Sequence, residues 1–172
     1  MIIGIAGKKG SGKTTLANII KQGTDCNQLS FADPIKEMLK LGFDLSHEQL
    51  YGYLKEVVDE RYGVTPRHMY QTLATDWGRN MINKEVWVNK SRHYIDCYHQ
   101  LDFVIDDVRF ENEADFIRER GILIHIYRMG GKVDNHSSES GVTVEGTDTI
   151  IYNNGSLQQL EEKMTELKEL LK

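Results

Sequence analysis

A chain of 172 residues, 40% hydrophobic and 27% charged, is long enough for one domain with a real core and too apolar to stay disordered. Its 21 basic and 26 acidic side chains give a net charge of −5, which argues against a protein whose main work is gripping nucleic acid. Two distant cysteines, Cys26 and Cys97, suit neither a zinc site nor a disulfide framework, and no apolar run approaches the ~20 residues that span a bilayer; a reducing compartment, the cytoplasm, is expected.

The apolar run Ile2 to Ala6 predicts a first strand. It leads directly into Gly7-Lys8-Lys9-Gly10-Ser11-Gly12-Lys13-Thr14-Thr15, which fits G-x-x-x-x-G-K-[ST]. Leu16, Ala17, Ile19 and Ile20 then recur at helical spacing over 13–23. Strand, glycine-rich loop and helix in this order make a phosphate-binding P-loop. Gly7, Gly10 and Gly12 let the backbone turn its N–H groups inward, and the helix N-terminus adds partial positive charge. Lys13 reaches the β- and γ-phosphates of ATP, the Thr14 hydroxyl ligates Mg²⁺, and Ser11 and Thr15 complete the binding loop. The apolar N-terminus therefore reads as a core strand rather than a signal peptide. The loop says that a triphosphate binds and not what receives the phosphate.

Leu29-Ser30-Phe31-Ala32 predicts a short second strand. Asp33 suits a helix N-cap with Pro34 at the first helical position, and Ile35, Met38, Leu39 and Leu41 give that helix an apolar face up to Gly42. Helical pieces follow, with Ser46 and Gln49 as a capping box and a second cap at Thr65-Pro66. From there Met69, Tyr70, Leu73 and Trp77 track a helix to about Arg79. The segment 85–98, carrying Val86, Trp87, Tyr94 and Ile95, is amphipathic and serves as core or as the face of a homodimer. With almost no strand signal, 33–98 reads as a helical insertion inside a single domain, 1–172.

Phe103-Val104-Ile105 predicts a buried strand ending in Asp106-Asp107. A helix over 110–120 turns Ala114, Phe116 and Ile117 inward, and Gly121 closes it. Ile122 to Tyr127 is an apolar strand broken only by His125. The stretch 129–146 is polar, rich in Gly and Ser, and reads as a loop. Thr149 to Tyr152 predicts the last strand, Asn153-Asn154-Gly155 a turn, and Ser156 with Gln159 the cap of a final helix. The expected fold is α/β: a five-stranded parallel sheet, covered on both faces, with ligands at the carboxyl ends of the strands.

At one of those ends stands Asp106-Asp107-Val108-Arg109, where a P-loop enzyme holds Mg²⁺. Adjacent aspartates point to opposite sides, so one faces the metal and the other orients Arg109 or caps the next helix; which is which stays open. Arg67, Gln71 and Trp77 lie near one helical face, suited to a phosphate and a base, and equally suited to a solvated helix with a core tryptophan. Arg128, Lys132, His136, Ser138 and Glu139 put cations in a loop that closes over phosphates to exclude water.

Phe31-Ala32-Asp33-Pro34-Ile35-Lys36, Gln71 with Asp76-Trp77-Gly78-Arg79, Asp107-Val108-Arg109-Phe110 with Asn112-Glu113, and Asn135-His136-Ser137-Ser138-Glu139 follow the P-loop in order. As an ordered set covering nearly the whole chain, they resemble the bacteriophage deoxynucleoside monophosphate kinase family and, more distantly, animal-type phosphomevalonate kinase. The resemblance implies a nucleoside-monophosphate-kinase-like three-layer fold with a short lid over 129–146. It implies the reaction ATP + dNMP → ADP + dNDP with Mg²⁺, in the cytoplasm, that of the host cell for a phage protein. It places Asp33, Lys36, Arg67, Gln71, Trp77, Arg79 and Arg109 around the acceptor, with His136 and Glu139 on the lid. Asn153 and Gly155 lie by the adenine of ATP. Lys13, Arg109, Arg128 and a positional Asp33 serve the transfer. The lid has few arginines compared with adenylate kinases, which leaves open the cation that meets the transferred group.

Two other functions stand beside this one. One is a kinase of another small phosphorylated metabolite. The other is a nucleotide switch or assembly ATPase, although Asn83-Lys84-Glu85-Val86 and Asn89-Lys90-Ser91-Arg92 both lack the final Asp of a guanine-reading motif.

Overall fold

The first strand, β1 (Ile2–Ala6), is buried along its whole length, as a continuous apolar run in a doubly covered sheet requires. The computed structural model describes residues 1–128 and 141–170, with side chains described up to 163. Two compact units divide the chain, one formed by 1–30 with 95–172 and the other by 31–94.

In the first unit, β1 is central in a five-stranded parallel sheet of order β2-β3-β1-β4-β5. The other strands are β2 (Asn27–Leu29), β3 (Phe103–Val108), β4 (Gly121–Tyr127) and β5 (Thr149–Tyr152). Alternation along β1 sends its side chains to two faces. Ile3 and Ile5 join Leu16, Ala17 and Ile20 of α1 (Lys13–Gly23) and Leu160 of α7 (Leu157–Leu170) in one apolar cluster. Gly4 faces the other way, where Ile117 of α6 (Glu111–Arg120) comes so near that a Cβ on Gly4 would lie 2.7 Å from it. Helices therefore cover both faces and make three layers, as expected.

The second strand sits at Asn27–Leu29 rather than Leu29–Ala32. It is an edge strand paired with β3 through Asn27, Gln28 and Leu29. Exposed polar Asn27 and Gln28 hide it from a search for apolar runs. β3 extends through both aspartates to Val108 because the ladder with β1 resumes, after an irregularity, at Ala6 and Val108.

The second unit is helical. It holds α2 (Asp33–Phe43), α3 (His47–Leu50), a 3₁₀ turn at Tyr53–Glu56, α4 (Pro66–Gln71), a π-helix (Thr72–Ile82) and most of α5 (Val86–Cys97). Asp33 is the first helical residue and not the N-cap; Ala32 holds that position without a side-chain bond. The other two predicted caps are present: Ser46 and Gln49 form their reciprocal box, and Thr65 accepts from the His68 N–H. The helix expected over 66–79 changes character at Thr72. Its i→i+5 pattern lengthens each turn and ends with Asn83 N–H donating to the Gly78 carbonyl at 3.0 Å. Trp87 explains the local packing. Its indole Nε1 donates to the Ala74 carbonyl at 2.8 Å, and a Cβ on Gly78 would meet its ring at 2.4 Å. Elsewhere in this unit, Asp59 takes both arms of Arg61 and the Gln49 amide; the Arg61 hydrogen bonds hold its carboxyl well below the usual range.

His125, the polar residue within apolar β4, is buried against Asp148 at 3.0 Å. Arg118 of α6 donates to both oxygens of the same carboxylate, at 3.1 and 2.8 Å, and to the Thr143 carbonyl at 2.7 Å. Burial alone would raise the Asp148 carboxyl, but hydrogen bonds from Arg118, the Glu145 N–H and His125 outweigh it and hold it at about 2. A depressed carboxyl contributes stability that is full above about pH 4 and is lost as pH falls toward 2. Asp148→Asn should cost about 3 kcal/mol by leaving Arg118 underpaired, a fall of roughly 6–12 °C in melting midpoint. Melts from pH 7 down to pH 2 should show the wild-type advantage shrinking over the lower part of that range.

Candidate active site

The P-loop begins where β1 ends. Gly7, Gly10 and Gly12 take φ values of +158°, +81° and +104°. At Gly12 both conformation and space demand glycine, because a Cβ would meet the Asn153 Nδ2 at 2.4 Å. The loop turns on a Ser11 N–H bond to the Lys8 carbonyl at 3.1 Å, and α1 starts with Leu16 N–H donating to Gly12 at 2.9 Å. No side chain caps α1 and no acid stands in its first turn, so its positive end is not neutralised from within the helix. Lys13 Nζ folds over the loop, donating to the carbonyls of Gly7 (2.5 Å) and Lys8 (3.0 Å). The Ser11 hydroxyl is buried with no partner among the described residues. Such a loop fits a triphosphate: it offers backbone N–H groups, a lysine and the positive end of a helix.

Thr14 follows, and its hydroxyl donates to Asp106 Oδ2 at 2.9 Å. The neighbouring aspartate points elsewhere, as alternation along β3 demands: Asp107 Oδ2 accepts from the Ser30 hydroxyl at 2.5 Å. The second oxygen of Asp106 is reached by Gln28 Nε2 at 3.4 Å, and Gln28 in turn is held by Lys21 at 2.9 Å. Two hard oxygens from Thr14 and Asp106 suit Mg²⁺, which takes few protein ligands and keeps waters and phosphate oxygens. Among the described residues no cluster of three or more His, Cys, Asp or Glu could hold a metal by itself.

Arg109 follows β3 directly. Phe110, which cannot cap α6 with its side chain, leaves that task to buried Glu113, whose Oε2 accepts from the N–H groups of Arg109 (2.7 Å) and Phe110 (3.1 Å). Arg128 is exposed just past β4. Asn153 and Gly155 line a cavity of about 560 Å³ with Ser156, Gln159 and Leu160 at the start of α7. Ser156 and Gln159 form the expected cap. His136 and Glu139 lie outside the described residues, as does 129–140 of the expected lid.

The remaining predicted residues belong to the helical unit. Asp33 and Lys36 share α2, and the Lys36 ammonium lies 4.2 Å from the centre of the Tyr51 ring. Arg67 Nε donates to Glu56 at 2.5 Å. Gln71 is half-buried at the end of α4, and Trp77 is 38% exposed in the π-helix. Arg79 is buried and donates to the Lys84 carbonyl at 3.2 Å. The π-helix changes the spacing to Trp77, while Arg67 and Gln71 keep the α-helical spacing of four within α4. Sequence reading missed Gln28, Ser30, Glu113 and Asp148 as partners. Glu113 was visible within its motif, three residues after a position that cannot cap itself, whereas the partners of Gln28 and Ser30 stand 78 and 77 positions away.

A parallel sheet with a lysine-bearing phosphate loop after its first strand, and an aspartate on the adjacent strand facing the loop's threonine, defines a P-loop nucleotide-binding protein. The family model for deoxynucleotide monophosphate kinase matches residues 1–63 and 51–164, and the chain belongs to that family. It is 38% identical to a putative deoxynucleotide monophosphate kinase of Acanthamoeba polyphaga mimivirus, over 92% of this chain and 91% of that one. It is 34% identical to the deoxynucleotide monophosphate kinase of Escherichia phage RB69, over 59% of this chain and 43% of that protein. Among solved structures, TT1252 from Thermus thermophilus aligns with TM-score 0.56 and 17% identity, covering 100% of this chain and 98% of that one. Dephospho-CoA kinase from Campylobacter jejuni aligns with TM-score 0.52 and 14% identity, covering 99% and 96%. These likenesses establish the fold.

Replacing Glu113 by Ala strands two backbone N–H groups in a buried place, at a cost of about 1–3 kcal/mol. Thermal melting should show a drop of roughly 2–4 °C per kcal/mol, with Glu113→Gln closer to wild type because it keeps an acceptor oxygen.

Proposed function

We propose that the chain transfers the γ-phosphoryl group of ATP to a deoxynucleoside monophosphate in the presence of Mg²⁺, releasing ADP and the diphosphate. The observation that carries this reading is the P-loop with Thr14 and Asp106 joined beside it, in a chain of this family. Lys13 leaves the loop carbonyls to meet the β- and γ-phosphates, and the loop N–H groups hold the rest of the triphosphate. Thr14 and Asp106 would hold Mg²⁺, which when bound would neutralise charge on the triphosphate. Asp107 stays with Ser30 and fixes the strand end that presents Arg109.

The acceptor needs no strong general base, because its attacking phosphate oxygen is already anionic at neutral pH. What it needs is orientation and charge neutralisation. Arg67, Arg79 and Arg109 are assigned to its phosphate, Asp33 and Lys36 to positioning, and Gln71 and Trp77 to its base; family resemblance supports these roles. An acceptor phosphate competes with Glu56 for Arg67, and the exposed indole of Trp77 offers a stacking face. Arg128 is assigned to charge neutralisation during transfer.

The partners in this reading are small nucleotides, with no nucleic acid and no membrane, in the cytoplasm. No described helix is long and apolar enough to cross a membrane. A homodimer through 85–98 has weaker support, since Trp87, Val88, Ser91 and Ile95 are buried within one chain.

A coupled assay with ATP and each deoxy- and ribonucleoside monophosphate tests the reaction. ADP should form only with a monophosphate present, and turnover no higher than ATP hydrolysis alone would refute the reading. Lys13→Ala should abolish turnover. Asp106→Asn should lower kcat at least a hundredfold, about 2.7 kcal/mol, and raise the Mg²⁺ concentration needed for half-maximal rate. Asp107→Asn should leave that Mg²⁺ dependence in place. If the two variants behaved alike in a Mg²⁺ titration, the division of labour between the aspartates would be wrong.

A further inference from the structure

Asn153 joins segments far apart in sequence. Its backbone N–H donates to the Tyr127 carbonyl at 2.7 Å, fixing the turn after β5 to the end of β4. Its side-chain Nδ2 donates to the Ser11 carbonyl at 2.8 Å, across 142 positions of chain. A carbonyl only accepts, so the amide must present its nitrogen here and its oxygen elsewhere. The same nitrogen occupies the space in which Gly12 would carry a side chain.

The Ser11 carbonyl and the Gly12 N–H belong to one peptide plane. In a trans peptide these two groups point in opposite directions, and the described chain contains no cis peptide. A donor that holds the carbonyl on one side therefore holds the N–H on the other. Gly12 is the residue before Lys13, with φ at +104° and ψ at 18°. This peptide has unusual rotational freedom, since glycine tolerates both signs of φ. Something outside the loop must select its orientation, and Asn153 stands where that selection is made.

We propose that Asn153 is a positioning residue for the triphosphate. By holding the Ser11 carbonyl it turns the Gly12 N–H toward the donor phosphates, in addition to any contact the turn makes with a base. This deepens the kinase reading and rests on it. It assigns the side chain to the phosphates of the donor, where the family resemblance places the turn by the adenine.

The two roles separate with a ligand that has phosphates and no base. Wild type, Asn153→Asp and Asn153→Ala are titrated calorimetrically with MgATP and with magnesium tripolyphosphate, and melted without ligand. Asn153→Asp is nearly isosteric but turns an acceptor toward the Ser11 carbonyl; Asn153→Ala only removes the donor. Both should weaken ATP and tripolyphosphate by the same factor, about five- to tenfold for the lost hydrogen bond and more for Asp than for Ala. The ligand-free midpoint should stay within about 5 °C of wild type. Unchanged tripolyphosphate affinity with weakened ATP would assign Asn153 to the base and overturn the proposal. Unchanged affinity for both ligands would also overturn it, as would a larger loss of ligand-free stability in both variants, which would make the bond merely structural. Wild-type protein that bound neither ligand would remove the kinase reading itself.

Discussion

Everything at the site depends on one constraint: all five strands run in the same direction. In such a sheet the carboxyl ends lie along one edge, and β1 at the centre delivers the P-loop there with β3 and β4 on either side. Thr14 can meet Asp106 because β1 and β3 are neighbours, although 92 positions separate the two residues. Asn153 can reach Ser11 because β5 follows β4 in the sheet and its backbone is tied to Tyr127. The loop is thus held from β3 through the threonine and from β5 through the asparagine.

Polar groups inside the first unit follow a consistent economy. Each buried or half-buried charge that does not face the loop is satisfied by a neighbour. Glu113 takes the backbone N–H groups at the start of α6, and Asp148 takes Arg118 and His125. Around the loop this satisfaction is incomplete. Ser11 keeps a buried hydroxyl without a described partner, and α1 begins without a side-chain cap. A buried polar group left unpaired costs free energy that a ligand can recover. Lys13 donates to two carbonyls of the loop, so the loop shape is held before a donor arrives.

The helical unit follows a different logic. Its order comes from local devices, such as the Ser46–Gln49 box, the Thr65 cap, the Asp59–Arg61 pair and Trp87 seated on Gly78. The π-helix over Thr72–Ile82 is a departure from regular spacing in a stretch that carries Trp77 and Arg79. Irregular helix of this kind often marks functional segments. Here it also changes the spacing from Gln71 to Trp77, while Arg67 and Gln71 keep theirs within α4.

Much of this is legible in the sequence. The phosphate loop, the buried strands, the three side-chain caps and the opposite facing of Asp106 and Asp107 are local in origin: spacing, glycine content and alternation act over a few residues. Where polar residues form the element, as in Asn27–Leu29, the pattern that betrays a strand is missing and the boundary was misplaced. The choice of Asp106 beside Thr14, and of Asp107 beside Ser30, needed the sheet order, since neither partner is near in sequence. The same holds for His125, a lone polar residue in an apolar strand until Asp148 and Arg118 surround it. By itself the sequence determined that a triphosphate binds and which family the acceptor site resembles, because those signals are carried by contiguous motifs. Only the tertiary structure decided which aspartate meets Thr14 and that Asn153 reaches the phosphate loop. Those facts are contacts between distant segments, and they exist only once parallel strands bring their ends together.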